Sequence, residues 1–132
     1  MIIPHQHLVW LGLAVLVGAV NLIWAAAAAQ PQRGREWNVG PRDEPCPLTG
    51  MAGRLERAFA NFRETFPFFV AVVIGAYLAA QLSYVTLYAT ITYVVARAIY
   101  LPLYAFGVPY WRSLVWAVSF IAILVILAAL FL

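Results

Sequence analysis

Four apolar stretches, separated by polar ones of very unequal length, make up nearly all of the chain. Leu8 to Ala29 is apolar except for Asn21. A helix needs roughly 20 such residues to cross a hydrocarbon core about 30 Å thick, so this run predicts a first span over 8–29. Ala25–Ala29 followed by Gln30 also looks like a signal-peptide cleavage site. A signal peptide, however, needs a basic start and an apolar core of only about 7–15 residues. The first seven residues carry no Lys or Arg, and the run is read as a retained span. Ala14 and Gly18 within it form a small-xxx-small pair that lets another helix approach closely. Residues 30–50 are polar and hold four Pro and three Gly, which argues against a regular element and predicts a loop. Thr49 and Gly50 suit a helix N-terminus, and a second helix is expected from Met51 to Gln81. Its part over 59–81 would lie in hydrocarbon, with Arg63 and Glu64 near the boundary and a loosening at Pro67. Gln81, Leu82 and Ser83 leave room only for a tight turn, making the second and third helices antiparallel neighbours. The third span is expected over 84–106. Gly107 and Pro109 end it, and the fourth covers 110–132. The predicted fold is all-α and integral to a membrane: an antiparallel four-transmembrane-helix bundle forming one domain over 1–132.

Two polar stripes interrupt this apolar pattern. Arg54, Arg57, Asn61 and Glu64 are three, four and three residues apart, which at about 3.6 residues per turn puts them on one face of the second helix. Ser83, Thr86, Thr90, Tyr93, Arg97, Tyr100 and Tyr104 alternate three and four apart along the third helix. Lipid penalises an unpaired charge by at least about 2.5 kcal/mol, so both stripes must face protein, a ligand or trapped water.

Composition and charge sharpen this picture. The 132 residues are 65% hydrophobic and only 10% charged, with a mean hydropathy of +0.88, and no separate soluble domain fits. All eight basic residues are Arg, which excludes lysine Schiff-base and P-loop chemistry. A net charge of +3 is too small and scattered for nucleic acid and is informative about topology instead. Arg33, Arg35, Arg42, Arg54, Arg57 and Arg63 lie around the 30–50 loop, and Arg97 and Arg112 flank the third connection. The termini and the 81–83 turn have none, so the positive-inside rule makes 30–50 a cytoplasmic loop and turns both termini outward.

Several polar residues admit two readings. Arg97, about 20 Å in from the outer face, would snorkel to the headgroups, pair with Glu64, or bind an anion between helices. Asn61 and Glu64 are interhelical glue or recognise an amine or amide. Tyr100 and Tyr104 are interfacial aromatics or pocket wall, and Arg112 is a topology signal or a ligand group. Their convergence at one depth would make a cationic pocket open to the cytoplasm and suited to an anionic, peptide-like molecule. His5 and His7 lack a third metal ligand, so no metal site is expected. Cys46 lacks a visible activating group and is read as a free thiol.

The string Arg57-Ala58-x-x-Asn61-x-x-Glu64-x-Phe66-Pro67-x-Phe69 resembles the strongest motif of the membrane-associated proteins in eicosanoid and glutathione metabolism, the MAPEG family. Ala96-Arg97-x-x-Tyr100-x-x-x-Tyr104, followed by Arg112-Ser113, is similar to its second motif. The resemblance implies a homotrimer of four-helix subunits that binds glutathione between neighbouring subunits near the cytoplasmic face. Carried over residue by residue, Arg57, Asn61 and Glu64 would hold the tripeptide's polar groups. Arg97, Tyr100 and Tyr104 would supply the adjoining wall, and Arg112 and Ser113 would flank the sulfur as the catalytic pair. The chain departs from the prostaglandin-synthase branch, which has Arg at the position of Ala60 and His at those of Phe59 and Tyr100. Its Arg42-Asp43-Glu44-Pro45 segment looks like that of small bacterial members.

The resemblance thus implies a glutathione-dependent transferase or peroxidase of a bacterial inner membrane, acting on lipophilic electrophiles, with membrane lipid and other copies of itself as partners. Two rivals predict different things of the same residues. A non-catalytic binder keeps the pocket without turnover, and a structural subunit pairs Glu64 with an arginine and leaves no pocket.

Overall fold

The computed structural model describes residues 2–132; Met1, included in the single-domain reading, lies outside them. Four helices make up the described chain: α1 (Ile2–Val39), α2 (Gly50–Leu78), α3 (Tyr84–Ala105) and α4 (Trp111–Phe131). All four are long and apolar enough to cross a membrane. Among the described residues α2 and α3 each touch all three other helices, whereas α1 and α4 do not meet. The central pair, α2 and α3, is the pair that carries the polar stripes.

The first connection differs from expectation. Residues 30–39 are helical and extend α1, broken only at Gly34 (φ 79°, ψ 165°). The part from Ile2 to Arg33 is about 48 Å long at 1.5 Å per residue, more than a core of about 30 Å, so its polar end stands clear of lipid. Contacts made at long range hold this end. The Gln32 amide accepts a hydrogen bond from Thr49 N (2.9 Å) and donates to Thr49 O (3.0 Å). Arg33 donates to Cys46 O (2.9 Å) and pairs with Glu56 (2.8 Å). Trp37 Nε1 donates to Glu44 O (2.7 Å). The extended segment 40–49 is thereby tied back onto the helix, and the expected loop is confined to it. Thr49 is the N-cap of α2, but its side chain makes no capping bond.

The α2–α3 turn also begins earlier than expected. Gln81 N donates to Ala76 O (2.9 Å) and Ala80 N to Tyr77 O (3.2 Å), the paired bonds of a Schellman motif. Ala80 occupies its left-handed position (φ 56°). The end of α3 closes in the same way, with Val108 N on Leu103 O (2.9 Å) and Gly107 N on Tyr104 O (3.0 Å), and there the left-handed residue is Gly107 (φ 71°). Sequence marks the second end because glycine adopts that conformation freely. The first carries no such mark.

Two apolar clusters fill the bundle. One joins Ala14, Phe69, Val73, Ala76, Tyr93 and Ile126; the other joins Leu55, Ala58, Tyr100, Leu101 and Ala105. Along α2 and α3 the polar layer of Asn61 and Arg97 falls between them. Gly18 provides the close approach expected of it, since a Cβ there would lie 2.5 Å from Cε1 of Phe62. Phe62 in turn stacks on Phe66 (4.9 Å between ring centres), and Phe69 stacks on Tyr93 (3.9 Å).

Candidate functional site

A cavity of about 460 Å³ opens between α2 and α4, with α3 behind it. Its α2 wall is Arg57, Ala60, Asn61 and Glu64; Tyr100 and Tyr104 come from α3, and Arg112, Ser113 and Trp116 from α4. Seven of the eight residues singled out in the sequence therefore meet at one cavity. The eighth, Arg97, lies behind it, buried at 2% exposure. It neither snorkels nor pairs with Glu64. Its Nη1 donates to Asn61 Oδ1 (2.9 Å), and its guanidinium lies 4.4 Å from the centre of the Tyr100 ring. Arg97 thus fixes the amide orientation of Asn61, so that Asn61 can turn a defined face to a ligand.

Cations and aromatic faces alternate across this layer. Arg97 lies 5.6 Å from the Phe62 ring, Tyr100 meets Tyr104 edge-on at 5.6 Å, and Arg112 lies 4.5 Å from the Tyr104 ring. Contacts of this kind contribute about 0.5–2 kcal/mol each and hold a guanidinium in place without neutralising it. Arg112 is therefore positioned by Tyr104 but keeps its charge. A strained turn precedes it: Tyr110 has φ 57° and ψ −59°, and Trp111 N donates to Pro109 O (2.6 Å). This is the rare γ-turn, and conformations of this class cost about 1–3 kcal/mol and cluster at functional sites. It sets the direction in which α4 starts, and with it the positions of Arg112 and Ser113 one and two residues into the helix.

The charges at the cavity lack protein partners. Among the described residues the one ion pair is Arg33–Glu56, so Glu64, Arg57 and Arg112 have no counter-ion. Two buried donors at the site are also without an acceptor, Trp116 Nε1 and Arg97 Nε. An unmet buried polar group costs about 1–3 kcal/mol, and more if charged. The pairing of Glu64 with an arginine, which a purely structural stripe requires, is not formed.

Arg54 departs from the convergence expected of the α2 stripe. Its Nε donates to Ala105 O (2.9 Å), satisfying a carbonyl at the end of α3. Sequence reading in turn missed Ala60 and Trp116. Both were findable: Ala60 is three residues beyond Arg57 and Trp116 four beyond Arg112, each on the same helix face. At the opposite end of the bundle His7 is buried with both ring nitrogens engaged, Nδ1 with Ile3 O (2.7 Å) and Nε2 with Thr86 Oγ1 (2.9 Å). Cys46 is half-buried and unpaired, and its Sγ lies 3.9 Å from Gln32 O.

No curated protein and no solved structure matches this chain. A family model does, over residues 8–132, which takes in most of α1, all of α2, α3 and α4, and every residue of the cavity. This multi-pass membrane protein belongs to the MAPEG family.

Proposed function

We propose that the protein is a glutathione-dependent transferase or peroxidase acting on lipophilic electrophiles at the cytoplasmic side of the membrane. The observation that carries this reading is the set of uncompensated charges of both signs around one cavity. Glutathione is a zwitterionic tripeptide with two carboxylates, one ammonium group and a thiol. Arg57 offers a cation for a carboxylate and Glu64 an anion for the ammonium. Asn61, held by Arg97, offers an amide for the peptide backbone, and the unpartnered Trp116 N–H offers a further donor. These residues fit the tripeptide in sign and type.

The chemistry asked of the bound thiol is nucleophilic attack, for which it must be a thiolate. Arg112 supplies a fixed positive charge that favours the thiolate over the thiol, and Ser113 a hydroxyl that can donate to the sulfur. The remaining residues orient the tripeptide and lower the entropic cost of the encounter with the electrophile. Arg57 and Glu64 are exposed in the single chain, which suits a homotrimer in which a neighbouring subunit closes the cavity. The one-sided distribution of arginine supports an inner-membrane protein with the 40–49 segment cytoplasmic and both termini outward.

Conjugation of glutathione to a chlorodinitrobenzene probe by the purified protein tests the mechanism. Arg112→Ala is expected to lower kcat by about 10²–10³-fold, as when an electrostatic stabiliser is removed from a charge-forming site. Undiminished kcat in that variant would remove Arg112 from the reaction.

A further inference from the structure

Asn21 is the one polar residue within the apolar run of α1, and neither the fold nor the cavity has given it a role. It is buried at 3% exposure, and its Oδ1 has no donor. An amide oxygen left in that state costs about 1–3 kcal/mol. Its place in the bundle follows from helix register. His7 meets Thr86, and seven residues further along both helices Ala14 and Tyr93 share one apolar cluster. α1 and α3 therefore run parallel and stay in step by heptads. The next step brings Asn21 level with Tyr100, the ring against which the Arg97 guanidinium lies at 4.4 Å. Helical side chains lean toward the N-terminus, so Asn21 leans toward the level of Arg97. α2 closes the same layer. A Cβ on Gly18, three residues before Asn21, would meet the Phe62 ring, and the Arg97 guanidinium lies 5.6 Å from that ring.

Among the described residues three buried side-chain polar atoms lack a partner: Asn21 Oδ1, Arg97 Nε and Trp116 Nε1. The first is an acceptor and the other two are donors. Trp116 belongs to α4, which α1 does not meet, whereas Arg97 belongs to α3, which it does. From this complementarity we infer that Asn21 is a positioning residue of the site, its Oδ1 accepting from Arg97 Nε through one buried water. Two polar partners in an otherwise apolar layer are what such a water requires. A guanidinium is planar, so an acceptor at Nε and a second at Nη1 fix its plane. Nη1 is the group that holds Asn61 Oδ1. Asn21 thus sets the amide of Asn61 through Arg97, and α1 shapes the cavity although none of its residues lines it. The effect on ligand binding rests on the glutathione reading; the Asn21–Arg97 contact does not.

Two readouts on the detergent-purified protein test this. The first is proton–nitrogen NMR of the arginine Nε–H groups without ligand, with the Arg97 signal identified by its loss in Arg97→Lys. That signal is expected to move upfield in Asn21→Leu, which removes the acceptor and fills the space of the water. It should stay downfield in Asn21→Asp, which keeps an acceptor. The second readout is calorimetric titration with glutathione. Asn21→Leu is expected to bind about tenfold more weakly, the worth of one hydrogen bond, and Asn21→Asp to retain its affinity. In an Arg97→Lys background, which has no Nε, Asn21→Leu should cost no further affinity. Should leucine prevent folding, Asn21→Ala removes the same acceptor without its bulk. An unmoved Arg97 signal in Asn21→Leu would overturn the contact. A moved signal with unaltered affinity, or an equal further loss in the Arg97→Lys background, would overturn the positioning role. Failure of the wild type to bind glutathione would instead count against the reading of the cavity, and the ligand-free Nε–H signal would still decide the contact.

Discussion

The polar stripe of α3 runs from Ser83 to Tyr104, and its two halves are used in opposite ways. In the half near Ser83 the groups satisfy one another. Ser83 and Thr86 form a reciprocal capping box, with Ser83 N on Thr86 Oγ1 (2.8 Å) and Thr86 N on Ser83 Oγ (3.3 Å). Thr86 also meets His7, Thr90 Oγ1 donates to Thr86 O (2.7 Å), and Tyr93 meets Thr65 (3.1 Å). In the half near Tyr104 the groups surround a cavity, and Glu64, Arg57, Arg112, Trp116 Nε1 and Arg97 Nε find no partner. Both halves have the same three-four spacing and the same burial pattern. What separates glue from site is whether donors and charges are met within the chain.

This contrast predicts that substitutions near the cavity change ligand binding without changing stability, and that those at the other end do the reverse. The largest effect on binding is expected for Glu64→Gln. It should weaken glutathione roughly ten- to hundredfold in calorimetric titration, the worth of a charge-assisted contact. Because Glu64 has no protein partner, the ligand-free unfolding temperature should hardly move. A large fall in that temperature would mean that Glu64 belongs to the glue.

Gly18→Leu should destabilise by about 1–3 kcal/mol through overpacking, since Phe62 is buried and stacked on Phe66 and has little room to yield. Its unfolding temperature would fall while the affinity of the intact protein for glutathione changed little. Thr86→Val removes an N-cap partner and the His7 contact together and should cost about 1–2 kcal/mol, again with kcat preserved. Loss of turnover in that variant would show that the two halves are coupled. The smallest effect has the opposite sign. Ala80→Gly should stabilise by about 0.5–1 kcal/mol, as measured by denaturation, because it relieves a left-handed alanine.

Much of the fold was legible because lipid imposes a simple rule: long apolar runs are helices, and polar residues within them face inward. Thr86, Thr90, Tyr93, Arg97 and Tyr100 are all buried, as the spacing of the stripe requires. The end of α1 was not legible. Its local composition, with Pro31 and Gly34, reads as loop, and the contacts from Gln32 and Arg33 that hold it come from residues 13–23 positions away. The end of α2 was misplaced for a similar reason, as alanine does not announce a left-handed turn. Within the site, spacing placed seven residues on one cavity but could not tell Arg54, which goes to Ala105 O, from Arg57, which stays at the cavity. The depth of Arg97 was readable, but its choice of Asn61 over Glu64 was not, because that depends on where α2 and α3 sit in rotation about their axes.

The most direct measurement is thermal unfolding of the detergent-purified protein with and without glutathione, for wild type, Glu64→Gln and Thr86→Val. Saturating ligand at about one hundred times Kd stabilises a native state by about 2.7 kcal/mol. A clear upward shift in wild type and Thr86→Val, absent in Glu64→Gln, is the predicted result. No shift in wild type, or an undiminished one in Glu64→Gln, would contradict the assignment of this cavity to the tripeptide.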